Sequence, residues 1–312
     1  SGQAAHLYSL NKTLFLVHIP PTAISACVKI ILRATMFPER EFGGDPDSFF
    51  SVTSTQGDQG LSLVVDESLI QLFPLQQIVI GPELRAIKVY EGADAINSIG
   101  YIQALASPLA ALGICPIYLS TYNSDILLVE DSELEIALEG LREVVGKEGM
   151  KWEQIISSSS EKHDPTPSNC TMALSCFRDD LSMFTLDISK ITECALDLLS
   201  LFIYPVEKES QFFSYTVTES EVSVIVNTSV AASLRRFSSL EFNSNTWACI
   251  QINEGSQLGE SQVSAVANVF AQEDISLYYI STFANDYILI QSQQYNKAVL
   301  VLKNQLGALI DT

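Results

Sequence analysis

Short apolar runs of strand length, broken by polar turns, recur along this chain. The clearest lies near its end. From Asp274 to Ile290 the residues read Asp-Ile-Ser-Leu-Tyr-Tyr-Ile-Ser-Thr-Phe-Ala-Asn-Asp-Tyr-Ile-Leu-Ile, two apolar strands around a polar turn. An echo stands at Gly113–Val129, Gly-Ile-Cys-Pro-Ile-Tyr-Leu-Ser-Thr-Tyr-Asn-Ser-Asp-Ile-Leu-Leu-Val. Ser120, Thr121, Tyr122 and Asp125 answer to Ser281, Thr282, Phe283 and Asp286 at a constant offset of 161 (281 − 120, 286 − 125). Self-similarity at a fixed period marks a repeated structural unit.

The pattern elsewhere supports the repeat. Residues 13–19 form a strand, Pro20-Pro21 ends it, and a helix follows over about 22–32 with Ile24, Val28 and Ile31 on one face. After a loop over 38–47, Phe49–Thr53 and Leu61–Val65 flank Gly57-Asp58 as a hairpin, and Ser68–Phe73 reads as a short helix. Leu84–Tyr90 alternates as a strand, Glu91-Gly92 turns, and Ala93–Leu112 is helical. A helix also follows the 114–129 hairpin, from Asp131 to about Val145, with Asp131 as its expected N-cap.

The second half repeats this order. Ala173–Cys176 and Met183–Ile188 are strands, Ser189–Leu201 a helix, Phe212–Thr218 with Val222–Val226 a hairpin, and Ser229–Phe237 a short helix. Trp247–Ile252 is a strand, Ser261–Gln272 a helix, and Gln293–Leu306 the last helix. Phe49-Phe50-Ser51 matches Phe212-Phe213-Ser214, and Glu91-Gly92 matches Glu254-Gly255. The polar, Pro-containing run 150–170 reads as the linker between halves. The expected fold is α+β: four tandem ferredoxin-like βαββαβ units in two similar halves, at 1–80, 81–149, 171–243 and 244–312, with their sheets pairing side by side.

Composition narrows the function. The chain has 312 residues, 47% of them hydrophobic, with a mean hydropathy of +0.22, ample for packed cores. Against 17 Lys and Arg stand 37 acids, a net charge of −20. Phosphate backbones and anionic membranes both demand the opposite sign, so neither nucleic acid nor a membrane surface is an expected partner. No apolar run spans a bilayer and no basic stretch precedes an apolar core at the amino terminus, so a cytoplasmic protein is expected. The six cysteines contain no Cys-x-x-Cys and read as free thiols, most of them buried. The sequons at Asn11, Asn169 and Asn227 are then chance matches.

Catalysis finds no support. His6, His18 and His163 are scattered, and no Ser/His/Asp, Cys/His, metal-ligand, Walker or dinucleotide pattern is present. No enzyme, no metal and no cofactor is expected.

Strand, glycine loop, helix, then a hairpin carrying Ser-Thr-aromatic-x-x-Asp resembles the ACT domain of the aspartokinase type. Four such units without a catalytic domain resemble the CASTOR family of cytosolic arginine sensors, most closely over Asp274–Asp286, with Leu119–Asp125 and Leu258-Gly259 also fitting. The resemblance implies a ligand held between the second and fourth units. Carried over by motif, Thr282, Phe283 and Asp286 line that pocket, with Gly259 in the loop before the helix, Glu260 and Val263 after it, and Cys115-Pro116 on the opposing strand. The family has Ser-Val at that last place; Pro116 offers no N–H and Cys115 is a weaker hydrogen-bonder.

The chemistry is consistent with an amino-acid ligand. A glycine loop opening a helix suits a carboxylate, and an acid such as Asp286 suits a guanidinium, with Glu260 or Glu254 adding charge and Phe283 packing on the aliphatic stem. Asp286 also fits a plain turn residue, and Thr282 and Phe283 plain sheet and core residues. The resemblance further implies a regulatory partner of the GATOR type in the TOR pathway and a homodimer through the first and third units. The rival readings are a ligand-independent interaction protein of the same fold and a regulatory subunit of an amino-acid biosynthetic enzyme.

Overall fold

A computed structural model describes residues 5–55, 60–91, 101–145, 173–177, 180–203, 212–219, 221–252 and 261–311. The expected linker, the turns at Gly57-Asp58 and Gly92, the first part of the helix expected from Ala93, and the loop with Glu254, Gly255, Gly259 and Glu260 lie outside the described residues.

The first half holds strands β1 (Ala5–Ser9), β2 (Leu14–Ile19), β3 (Phe50–Thr55), β4 (Gly60–Asp66), β5 (Val79–Glu91), β6 (Ile117–Ser120) and β7 (Asp125–Glu130). Its helices are α1 (Ile24–Met36), α2 (Pro38–Phe42), α3 (Glu67–Ile70), α4 (Tyr101–Ala111) and α5 (Leu134–Val145). The second half holds β8 (Ala173–Cys176), β9 (Leu181–Asp187), β10 (Phe212–Val217), β11 (Glu221–Asn227), β12 (Glu241–Ile252), β13 (Leu277–Ser281), β14 (Asp286–Gln291) and β15 (Leu309–Asp311). With them run α6 (Ile191–Ile203), α7 (Thr228–Leu234), α8 (Ser261–Gln272) and α9 (Tyr295–Leu306).

The α+β class holds, but the strands do not form four separate sheets. Twelve of them hydrogen-bond in one closed ring, in the order β14-β13-β6-β7-β5-β2-β4-β3-β10-β11-β9-β12, with β12 returning to β14. The ring closes because β5 and β12 are long. β5 pairs with β2 up to Leu84 and with β7 from Leu84 onward; β12 pairs with β9 up to Trp247 and with β14 from Trp247 onward. Register shifts in the β2–β5 and β12–β9 pairings bend each strand where it changes partners. Gly81 sits near the first bend, and a Cβ there would meet the Leu16 carbonyl oxygen at 3.0 Å. Each long strand crosses an expected unit boundary, at 80/81 and at 243/244.

Closure gives the ring an inside. Leu14 and Leu16 of β2, Ile126 and Leu128 of β7, Met183 of β9, Trp247 of β12 and Tyr287 and Leu289 of β14 meet there in one cluster. Alternate residues face outward. Ile288 and Ile290 join an outer core under α4, α5, α8 and α9, while Val17, Val52 and Val224 join another under α1, α3, α6 and α7. Strands buried on both faces need apolar residues at consecutive positions, which is why the strand runs look continuous. At the β3–β10 seam the inner face turns polar, and buried hydroxyls pair as Ser51 with Thr216 (2.9 Å) and Thr53 with Ser214 (3.0 Å).

Several local expectations need correction. The expected loop 38–47 contains α2, for which Pro38 takes the first helical position, and Arg33 of α1 grips Glu41 through two nitrogens. α1 continues four residues beyond Leu32, to Met36. Asp131 is not an N-cap: Glu130 occupies that position without a side-chain bond, and Asp131 instead pairs with Arg85 at 3.1 Å. β1 and β15 were not expected. β1 adds to β5 and β15 to β8, each gaining its ladder only from the assembled sheet.

Candidate functional site

The two halves meet a second time where β6 runs antiparallel to β13, with Leu119 opposite Ile280. Serine side chains extend this short ladder. The Tyr118 N–H donates to Ser281 Oγ at 3.2 Å and the Tyr279 N–H donates to Ser120 Oγ at 3.0 Å. Tyr118 and Tyr279, like Ser120 and Ser281, are repeat mates, so the exchange marks a local two-fold axis. Over that axis the two phenol rings meet edge to face, 5.6 Å apart.

The Ser-Thr-aromatic-x-x-Asp motif builds the turns on either side. Thr121 Oγ1 donates to the Ser124 carbonyl (2.8 Å) and accepts the Ser124 N–H (3.1 Å). Thr282 Oγ1 does the same with Asn285, at 2.7 and 3.0 Å. The aromatic residue then docks each turn on the opposing part of the ring. The Tyr122 N–H reaches Ser223 Oγ of β11, and the Phe283 N–H reaches Ser62 Oγ of β4, both at 2.9 Å. The first docking carries extra polar contacts, Asn123 to Glu221 and Lys88 to Glu219. The second instead stacks Phe283 near the His18 ring, 5.5 Å between centroids.

The paired aspartates diverge. Asp125 is 2% exposed, and neither carboxylate oxygen meets a hydrogen-bond partner in ordinary geometry. Burial pushes its pKa up to about 7, with the Ser120 hydroxyl working the other way. Asp286 is half-buried and shares the outer face with Ile288 and Ile290. The Tyr279 and Tyr118 hydroxyls are raised above the ordinary phenol range, first by burial, and the Asp286 charge adds to both; Cys115 acts on both as well.

The residues expected to bind ligand therefore fall into two sets. Asp286 and Cys115 come together around Tyr118 and Tyr279. Cys115 is exposed, Pro116 is buried, and Val263 of α8 packs half-buried on the same outer core. Thr282 is buried with its hydroxyl engaged in the turn, and Phe283 packs on His18 and the inner cluster, a different setting from the Asp286 carboxylate. The plain reading of those two as turn and core residues fits this placement. Gly259 and Glu260 lie outside the described residues. Sequence reasoning passed over Tyr118 and Tyr279, although both stand two residues before the motif serine in each repeat, a signal as sharp as the motif itself.

Among the described residues, no cluster of His, Cys, Asp and Glu could hold a metal ion, and no helix is long and apolar enough to cross a membrane.

Four similarities to known proteins bear on this site. The sequence profile of the ACT domain matches residues 244–304. The "Cytosolic arginine sensor for mTORC1 subunit 1" of Homo sapiens is 26% identical over 290 residues, covering 82% of this chain and 86% of the relative. Its counterpart in Mus musculus is 25% identical over 288 residues, covering 82% and 85%. Among solved structures, an aspartate kinase from Synechocystis matches with a TM-score of 0.36 and 10% identity, over 98% of this chain and 56% of that one. The chain is thus similar over most of its length to the cytosolic arginine sensors for mTORC1, and residues 244–304 match the ACT-domain profile.

Proposed function

We propose that this chain is a non-enzymatic regulatory protein that senses arginine in the cytosol. The observation that carries the reading is the half-exposed Asp286 carboxylate, set beside the seam where β6 of one half meets β13 of the other. A carboxylate there meets a guanidinium bidentately, and a ligand held at the seam favours one relative placement of the two halves. The names of the relatives supply the ligand and the pathway: arginine, and signalling through the TOR kinase. The partner is a GATOR-type complex, which responds only because the ligand binds the two arrangements of the seam with different affinity.

In this reading the ring consists of four ACT-type units, 1–80, 81–149, 171–243 and 244–312, with 150–170 as the linker; neighbouring units share β5 or β12. Ligand contacts come from Cys115, Pro116, Gly259, Glu260, Val263 and Asp286, with Thr282 and Phe283 shaping the turn that presents Asp286. The first and third units carry the homodimer contact.

Thermal unfolding against the twenty amino acids, each at millimolar concentration, tests this directly. Arginine at 100 times its dissociation constant adds about 2.7 kcal/mol of stability. The expected result is a shift with arginine that Asp286→Ala abolishes. A shift with another amino acid alone removes the specificity, and no shift with any of them removes the sensor.

A further inference from the structure

The local two-fold relates Tyr118 to Tyr279 and Asp125 to Asp286, so symmetry allots one phenol to each carboxylate. The structure departs from this. On the β13–β14 ladder Tyr279 stands diagonally across from Asp286, Tyr118 packs on Tyr279, and the Asp286 charge acts on both phenols. The Asp125 charge acts on Tyr278, whose side chain belongs to the interior of the ring. The edge-to-face pair, the Asp286 carboxylate and the exposed Cys115 thus form one polar group on the outer face of the seam.

Within that group Tyr279 is 1% exposed and Tyr118 2%. The Tyr279 hydroxyl is buried with its proton directed to the Asp286 carboxylate, and no donor is aimed at its oxygen. A buried oxygen with no donor aimed at it is left unsatisfied on its acceptor side until an N–H reaches it. Both phenols stay neutral at physiological pH, so each oxygen can accept as well as donate.

The chemistry of a planar cation fits this set. A guanidinium presents five N–H donors in a rigid fork, and one carboxylate takes two of them. Once buried, the remaining three need acceptors. An ammonium has only three donors in all, so a single carboxylate leaves fewer unmatched. Aromatic ring faces add an attraction for either cation.

We infer that Tyr118 and Tyr279 are specificity-determining residues of the Asp286 site, their hydroxyl oxygens accepting N–H groups of the guanidinium that Asp286 leaves unpaired. This rests on the arginine reading above. It also assigns one ligand to each chain, because the Asp125 position is sealed from solvent.

Calorimetric titration of the full chain with L-arginine, and separately with L-lysine, tests the inference on the wild type, Tyr279→Phe and Tyr118→Phe. Phenylalanine keeps the ring and its packing. The expected result is one arginine per wild-type chain and about tenfold or greater weakening for Tyr279→Phe. Lysine binding changes less, so the preference for arginine falls. The ligand-free melting temperature of Tyr279→Phe stays close to that of the wild type, because the ring and its packing are kept. Wild-type arginine affinity in both variants overturns the inference while leaving the sensor intact. Weakening that only tracks a lower ligand-free melting temperature overturns it too, since that is a packing effect. A wild-type chain that takes up no arginine overturns the sensor reading itself, and this one with it.

Discussion

Asp125 and Asp286 occupy the same place in a repeated motif, yet they are different chemical objects. Asp286 is half-open and its charge reaches two phenols. Asp125 is sealed, unpartnered and raised to about 7 from an ordinary 3.8. That difference makes stability depend on pH with a definite sign. Below the unfolded value near 4, both states hold the proton and Asp125 adds no pH-dependent penalty. As pH rises from about 4 to about 7 the unfolded chain releases a proton that the folded chain retains, so stability falls and then levels off. Asp125→Asn removes this slope. Urea unfolding at pH 5 and pH 8 should show the variant gaining on the wild type by a few kcal/mol at the higher pH, at about 1.4 kcal/mol per unit. A gap that does not widen with pH means Asp125 is ionised in the fold. Nothing in the motif distinguishes the two aspartates, because burial is set by the neighbouring strands and not by the turn.

At the scale of elements, the turns show how local chemistry and distant docking combine. Thr121 and Thr282 each close their turn by giving and receiving a hydrogen bond, and Ser223 and Ser62 on other strands then fix the aromatic residue's N–H. Thr282→Val keeps the shape but deletes both side-chain bonds, leaving the backbone bond from the Thr282 N–H to the Asn285 carbonyl. It should lower stability by about 1–3 kcal/mol in chemical denaturation, and Thr282→Ser should restore most of the loss. An unchanged midpoint for the valine variant would show the turn to be held by its backbone bond and its docking alone. The helices were legible from their apolar spacing, but their ends were not. α1 runs on to Met36 because its last turns bury Ala34, Thr35 and Met36, and Asp131 yields its capping role to an ion pair with Arg85, a residue 46 positions away. Caps and ends answer to such partners, which periodicity does not reveal.

At the scale of the molecule, the ring joins the halves twice, at β3–β10 and at β6–β13, and its interior takes residues from both. Each half alone would expose the apolar inner face of six strands together with two unpaired edges. Residues 1–149 and 171–312, expressed separately, should therefore be insoluble or unfolded by circular dichroism, and co-expressed they should co-purify as one complex. A half that melts cooperatively on its own would show that the ring is two domains in contact. Trp247, fully buried at the bend of β12 against Tyr278 (4.6 Å), offers a fluorescence reporter of closure.

The sequence by itself determined the strands, the helices, the repeat and the α+β class. These follow from periodicity and from turn residues, which act over a few positions. It also marked Asp286, because a motif that recurs at a constant offset is visible without coordinates. Only the tertiary structure decided that the strands close into one ring, that Phe283 turns to His18, and that both seam tyrosines side with Asp286. Those outcomes depend on which edges meet across more than 150 residues of chain, and burial, pairing and charge at each position are properties of that meeting.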